Sequence, residues 1–254
     1  MRPFISTIIV FLLLAGCSEP AKMDAMVVAT NSWTAAFARA AGARNIVVLA
    51  PFEMEHPSEY ELRAADIRVI THARLIIYAG YETMVKRLQS GMDLKQEVLL
   101  KIDTDYSMTM IEKSVMDIAQ RLGTEKTALQ NIDSIRHVLA EGKTRLDNSG
   151  MNSTPVLVNF FQQSIVKEMG FTIAGVFGPA SLEAGDIERM SKPESGLIVD
   201  NEHNPVGIPL SKVKTGVKYI QLLNFPGRHQ TITLQDVITY NVRQLSLSGD
   251  HSKQ

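Results

Sequence analysis

The sequence predicts an α/β protein of two lobes, each a mainly parallel sheet flanked by helices, with one long helix linking them. Three observations carry that reading. Short β-branched runs alternate with helix-period segments from residue 26 to residue 102, and two long amphipathic segments then follow back to back over 107–146. The alternation resumes at Val156 and continues to the C-terminal end. Alternation of this kind implies parallel strands with right-handed crossovers, and the helical interruption separates two such units.

Each element has its own signal. Residues 26–30 form a β-branched strand, and 32–41 follow with helical spacing and Ser32 in the N-cap position. Ile46-Val47-Val48-Leu49 is the second strand, ended by Pro51. Residues 62–71 read as a helix and 75–78 as a buried strand; Gly80 breaks the chain before a helix over 82–88, and 98–102 supply a fourth strand. Over 107–122, apolar residues recur at Met108, Ile111, Val115, Ile118, Ala119 and Leu122, a clear 3.6-residue period. Gly123 closes that helix, and the next opens at Thr124-Glu125 and runs to about Leu146. In the second half, strands are expected at 156–158, 172–177, 197–199 and 219–223, with helices at 162–169, 184–190, 209–214 and 232–245. The expected division is an N-terminal lobe at 26–123, a linking helix at 124–150 and a C-terminal lobe at 151–254.

The N-terminus carries a separate message. Arg2 precedes the apolar run Ile8-Ile9-Val10-Phe11-Leu12-Leu13-Leu14, too short for a membrane span but suited to a secretory signal. Leu14-Ala15-Gly16-Cys17 resembles a bacterial lipobox, in which the cysteine is diacylated and becomes the mature N-terminus. Residues 1–16 are thus read as a lipoprotein signal peptide and 17–25 as anchor and tether; two acyl chains make anchoring stable where one is marginal. Cys17 is the only cysteine, so neither a disulfide within the chain nor a thiolate metal cluster can form. With 26 Lys and Arg against 27 Asp and Glu, no strong field favours nucleic acid. The chain is expected to be a monomer outside the cytoplasm, held to a membrane by lipid, with small ligands and a transporter as partners.

Polar residues crowd the predicted strand ends. Glu53-Met54-Glu55-His56-Pro57-Ser58-Glu59-Tyr60 follows the second strand, Tyr78-Ala79-Gly80-Tyr81-Glu82 spans the end of the third, and Asp103-Thr104-Asp105 follows the fourth. In the second half Asn159, Asp200-Asn201-Glu202-His203-Asn204-Pro205 and Asn224-Phe225-Pro226-Gly227 hold the equivalent places. Ligands of open α/β sheets sit at the carboxyl ends of the strands. Imidazole and carboxylate converging there suit Zn²⁺, Mn²⁺ or a similar divalent ion.

His56-Pro57-Ser58-Glu59-Tyr60-Glu61-Leu62, Tyr78-Ala79-Gly80-Tyr81-Glu82, Gly175-Val176-Phe177-Gly178-Pro179, Asp200-Asn201-Glu202-His203-Asn204-Pro205 and Asn224-Phe225-Pro226-Gly227, in this order, resemble the metal-binding solute receptors of bacterial ABC importers, a family that includes zinc and manganese receptors. The resemblance runs from about Met26 to Leu245. It implies two lobes on a rigid helix with little hinge closure, a divalent metal as cargo and an ABC permease as partner. The sequence departs from the family at the ligand positions: Ser58 stands where zinc receptors carry histidine, with His56 two residues earlier. Asp103, Asn159 and Asn224 stand at or near the other three positions. The chain thus resembles a divergent branch of the family. Within that pattern His56 and His203 are the expected imidazole ligands, Glu82 and Asp103 the expected carboxylates, and Asn159 and Asn224 the supporting donors. Glu202 either joins them or faces solvent, leaving His203 alone in the site.

Two other readings stay open. Weak retention of the ligand positions also fits a metal chelate or a small organic ligand. Trp33, Tyr81, Phe160, Phe161 and Phe225 offer an apolar wall for it, although ordinary core packing is the simpler expectation for these aromatics. A metal-dependent enzyme is the remaining alternative, but the sequence has no Gly-x-Ser-x-Gly elbow and no His-Glu-x-x-His helix.

Overall fold

The computed structural model describes residues 26–52, 54, 56–92 and 94–247. Cys17, the signal peptide, the tether, Glu53 and Glu55 lie outside the described residues. The N-terminal sheet comprises β1 (Val27–Ala29), β2 (Ile46–Val48), β3 (Leu75–Tyr78) and β4 (Leu99–Lys101), and the C-terminal sheet β5 (Val156–Asn159), β6 (Ile173–Phe177), β7 (Leu197–Asn201) and β8 (Lys218–Leu222). All pairings are parallel, in the orders β2-β1-β3-β4 and β6-β5-β7-β8. The two lobes therefore repeat one topology.

Both faces of each sheet are covered, and the period of two divides the side chains of each strand between separate cores. Val27, Leu75 and Ile77 face inward with Val156, Val158, Leu197 and Val199, into one cluster that continues from lobe to lobe. That cluster is filled by α1 (Ser32–Ala40), α4 (Met108–Leu122), α5 (Glu125–Ser149) and α9 (Leu234–Leu247). Val28 and Ile76 face the other way, toward α2 (Ala64–Thr71) and α3 (Thr83–Gly91). Leu157 and Ile198 likewise face the side of α7 (Ala184–Ser191) and α8 (Ile208–Val213), while Ile165 and Val166 of α6 (Gln163–Glu168) join the shared core.

The long helix α5 is set by its buried stripe Ala128, Ile132, Ile135, Leu139, Gly142 and Leu146. Gly142 lets α9 approach closely: a Cβ there would lie 2.3 Å from Val242 Cγ1. Gly123 ends α4 in the left-handed conformation (φ 73°), as the sequence predicts.

Local chemistry moves some expected boundaries. The N-cap of α1 is Asn31, not Ser32: Asn31 Oδ1 accepts the Thr34 N–H at 2.9 Å, and Thr34 Oγ1 accepts the Asn31 N–H at 3.2 Å. Ser32 Oγ is thereby free to donate across the lobes to Pro226 O at 2.9 Å. The last helix starts at Leu234, because Asp236 Oδ2 accepts the N–H groups of Ile232 (3.0 Å) and Thr233 (2.9 Å) and holds them in a capping turn.

Candidate ligand-binding cleft

In a sheet of order 2-1-3-4 the chain leaves the first strand to one side and returns to the other, so the loops after the two central strands diverge and leave a crevice. Both lobes open this crevice toward the same interlobe cleft, a cavity of about 370 Å³. The first lobe contributes Asn31, Ser32 and Trp33 after β1, His56, Pro57 and Ser58 after β2, and Tyr81 after β3. The second contributes Phe161 after β5, Asn201, His203 and Asn204 from the end of β7, and Asn224 and Phe225 after β8. A wider depression of about 650 Å³ adjoins it across Trp33, Tyr81 and Phe161, and holds the loop after β4.

Two of the four expected ligands meet on this cleft. His56 is exposed on the first-lobe side, where it precedes the 3₁₀ turn Pro57–Glu59. His203, 8% exposed, lies on the second-lobe side with its ring stacked on Phe225, centroids 3.7 Å apart. Its Nδ1 accepts the backbone N–H of Asn224 at 3.3 Å. Burial first, then the nearby Arg228 and His229, lower its pKa to about 3, so the ring is neutral.

Glu82 has another task. It is 1% exposed, and its Oε1 accepts from Thr30 Oγ1 (2.6 Å), Asn31 Nδ2 (3.2 Å) and Ala79 N (2.9 Å). Oε2 accepts from Gly80 N at 2.7 Å. The carboxylate thus ties the loop after β1 to the loop after β3, and does not line the cleft. Asp103 lies in the adjoining depression, half exposed, with Lys113 Nζ 3.7 Å away. Among the described residues, no three His, Cys, Asp or Glu side chains gather in an arrangement able to hold a metal ion.

The supporting residues also separate. Asn159 donates to Asp200 Oδ1 (2.9 Å) and accepts from Phe161 N (3.1 Å), shaping the turn that carries Phe161 into the cleft. Asn224 lines the cleft, and its Oδ1 is buried without a partner. Glu202 turns away toward His229 Nε2 (2.8 Å) and Arg228 Nη1 (3.6 Å), so His203 is left without it. Of the remaining histidines, His72 is the exposed cap of α2 and His137 lies exposed on α5.

Core packing, the simpler expectation for the aromatics, fails for three of them. Tyr81, in the loop after β3, and Phe160 and Phe161, in the 3₁₀ turn after β5, are 49%, 52% and 39% exposed and line the depression between the lobes. Trp33 and Phe225 are buried, yet both line the cleft.

Sequence reasoning named Asp200 at a strand end but gave it no role. It is fully buried and accepts from Asn159 Nδ2 (2.9 Å), Asn201 N (2.8 Å), Gly207 N (2.6 Å) and Tyr219 Oη (2.8 Å). Burial and then Asp200 hold the Tyr219 hydroxyl well above its ordinary pKa. Asp200 is the second-lobe counterpart of Glu82: each lobe fixes its crevice with one buried carboxylate that collects four donors. Its place directly after the strand expected at 197–199 was the available signal.

No protein-family model matches the chain, and no curated protein matches it in sequence. Solved structures share its fold. The Mn-bound periplasmic metal binding protein from Candidatus Liberibacter asiaticus is 15% identical with a TM-score of 0.67, over 89% of this chain and 100% of that one. The Cd-bound form of that protein gives the same figures, 15%, 0.67, 89% and 100%. The SBP FpvC from P. aeruginosa, in complex with Ni²⁺, is 16% identical with a TM-score of 0.68, over 90% and 97% of the two chains. The chain therefore has the fold of the periplasmic metal-binding solute receptors, two α/β lobes on one long helix.

Proposed function

We propose that this chain is a lipid-anchored, extracytoplasmic solute receptor that captures a divalent transition metal, Zn²⁺ or Mn²⁺ foremost, and delivers it to the permease of an ABC importer. One observation carries the reading: the crevices of both sheets open on a single interlobe cleft, with one imidazole from each lobe on its walls. Cys17 supplies the anchor. Among the described residues no helix is long and apolar enough to cross a membrane.

The cleft favours metal held in a small organic complex over a bare ion. Glu82 is engaged by four donors, Asp103 lies outside the inner cavity, and aromatic walls with a volume of about 370 Å³ suit an organic molecule. Capture of a bare ion by His56, Glu82, Asp103 and His203 is the second reading. It is supported by the Mn²⁺, Cd²⁺ and Ni²⁺ held in structures of the same fold.

The test is thermal melting of the chelator-stripped chain in detergent, titrated with Zn²⁺, Mn²⁺, Fe²⁺, Co²⁺, Ni²⁺ and Cu²⁺, free and as citrate complexes. A ligand at one hundred times its Kd stabilises by about 2.7 kcal/mol. Stabilisation lost in His56→Ala is expected. No response to any ion or complex would end the metal-receptor reading.

A further inference from the structure

The tautomer of His203 says what its side of the cleft accepts. A backbone N–H only donates, so the bond from Asn224 N leaves the lone pair of the neutral ring on Nδ1 and its proton on Nε2. Nε2 has no partner among the described residues. A metal-ligating imidazole has the opposite arrangement: its remote nitrogen donates to a carboxylate or carbonyl, leaving a bare nitrogen toward the ion.

Two carboxamides stand beside the ring. Asn201, 2% exposed, uses Oδ1 to accept the His203 N–H at 3.0 Å and leaves Nδ2 without a partner. Asn224, 6% exposed, has a partner for neither side-chain atom, and its Oδ1 is buried outright. Buried amides are normally paired, and an unpaired one weakens a fold. No hydrogen bond within the fold uses the Asn224 side chain, which lines the cleft; its Nδ2 is the atom that can donate to a ligand, whereas the buried Oδ1 only accepts.

We infer that the second-lobe wall binds an oxygen-rich, carboxylate-bearing small molecule through N–H groups of His203, Asn201 and Asn224, and that the metal enters as the complex of that molecule. This rests on the receptor reading above and names the chemical class of its ligand. His56, on the opposite wall, faces the side of the complex away from these donors. Trp33, Phe161 and Phe225 cover its apolar surface.

The experiment is melting and calorimetric titration of the whole chain, in detergent and stripped of metal, with Ni²⁺ alone, with citrate, malate and histidine alone, and with the Ni²⁺ complex of each. At least one carboxylate, free or complexed, is expected to raise the melting temperature by about 5–10 °C at saturation. Asn224→Leu should keep or raise the melting temperature of the ligand-free chain, since it removes a buried unpaired amide, yet weaken the carboxylate by about tenfold or more. Asn224→Asp sets a carboxylate against the ligand and should abolish binding. A full response to Ni²⁺ alone, with none to the carboxylates and tighter Ni²⁺ binding in Asn224→Asp, would overturn the inference and leave the receptor reading standing. Silence toward every probe would remove both.

Discussion

The buried carboxylate of Glu82 gives the sharpest test of whether a predicted ligand serves the metal or the fold. Glu82→Ala deletes the acceptor for four donors: Thr30 Oγ1, Asn31 Nδ2 and the N–H groups of Ala79 and Gly80. Hydrogen bonds to a charged group are worth about 1.5–3 kcal/mol each, which would sum to roughly 6–12 kcal/mol if all were lost independently. They are not independent. Thr30 Oγ1 keeps Thr34 Oγ1 at 3.3 Å, Asn31 Nδ2 keeps Tyr81 Oη at 3.4 Å, and the two backbone groups lie in a part-buried loop that water can reach. A net loss of about 3–4 kcal/mol is expected, or about 6–16 °C in melting temperature for a chain of this size. Urea denaturation of metal-stripped protein measures it, because a structural role acts without any metal. Stability within about 0.5 kcal/mol of the parent, coupled with loss of a metal-induced shift, would refute the reasoning and return Glu82 to the ligands.

Three further outcomes follow from the geometry. The pKa of His203 is depressed from 6.5 to about 3, so between those values the unfolded chain binds a proton that the folded chain excludes. Stability therefore falls as pH falls through that window, and from pH 6.5 to 5 the parent should lose about 1–2 kcal/mol more than His203→Gln; parallel denaturation curves would contradict this. Asp200→Ala should cost about 3–5 kcal/mol by the same reasoning as Glu82→Ala, with no rescue by metal, as read by urea melts with and without Ni²⁺. Gly142→Ala gains about 1 kcal/mol of helix propensity but drives a Cβ to 2.3 Å from Val242 Cγ1. Overpacking of about 1–3 kcal/mol should win, and a rise in melting temperature would show that α5 and α9 have room to separate.

The sequence by itself determined the architecture. Alternating β-branched and amphipathic segments, with Gly123 between two long helices, give the order of elements seen, because period and punctuation are local properties of the chain. The same reading placed the polar loops at the carboxyl ends of the strands and picked out His56 and His203, which do share a cleft. Which atoms of those loops are available is another matter. Glu82 and Asp103 look alike in sequence, yet one is enclosed by four donors from two loops and the other stands half in solvent. Asn31 rather than Ser32 caps α1, through its reciprocal bonds with Thr34, and Ser32 instead reaches a partner 194 residues away. Tyr81, Phe160 and Phe161 have core composition but no core around them, since their loops end at the gap between lobes. The proton on His203 Nε2 depends on the backbone N–H of a residue 21 positions on. Hydrogen-bond capacity and burial are assigned by neighbours distant in sequence, so only the tertiary structure decided what the cleft offers its ligand.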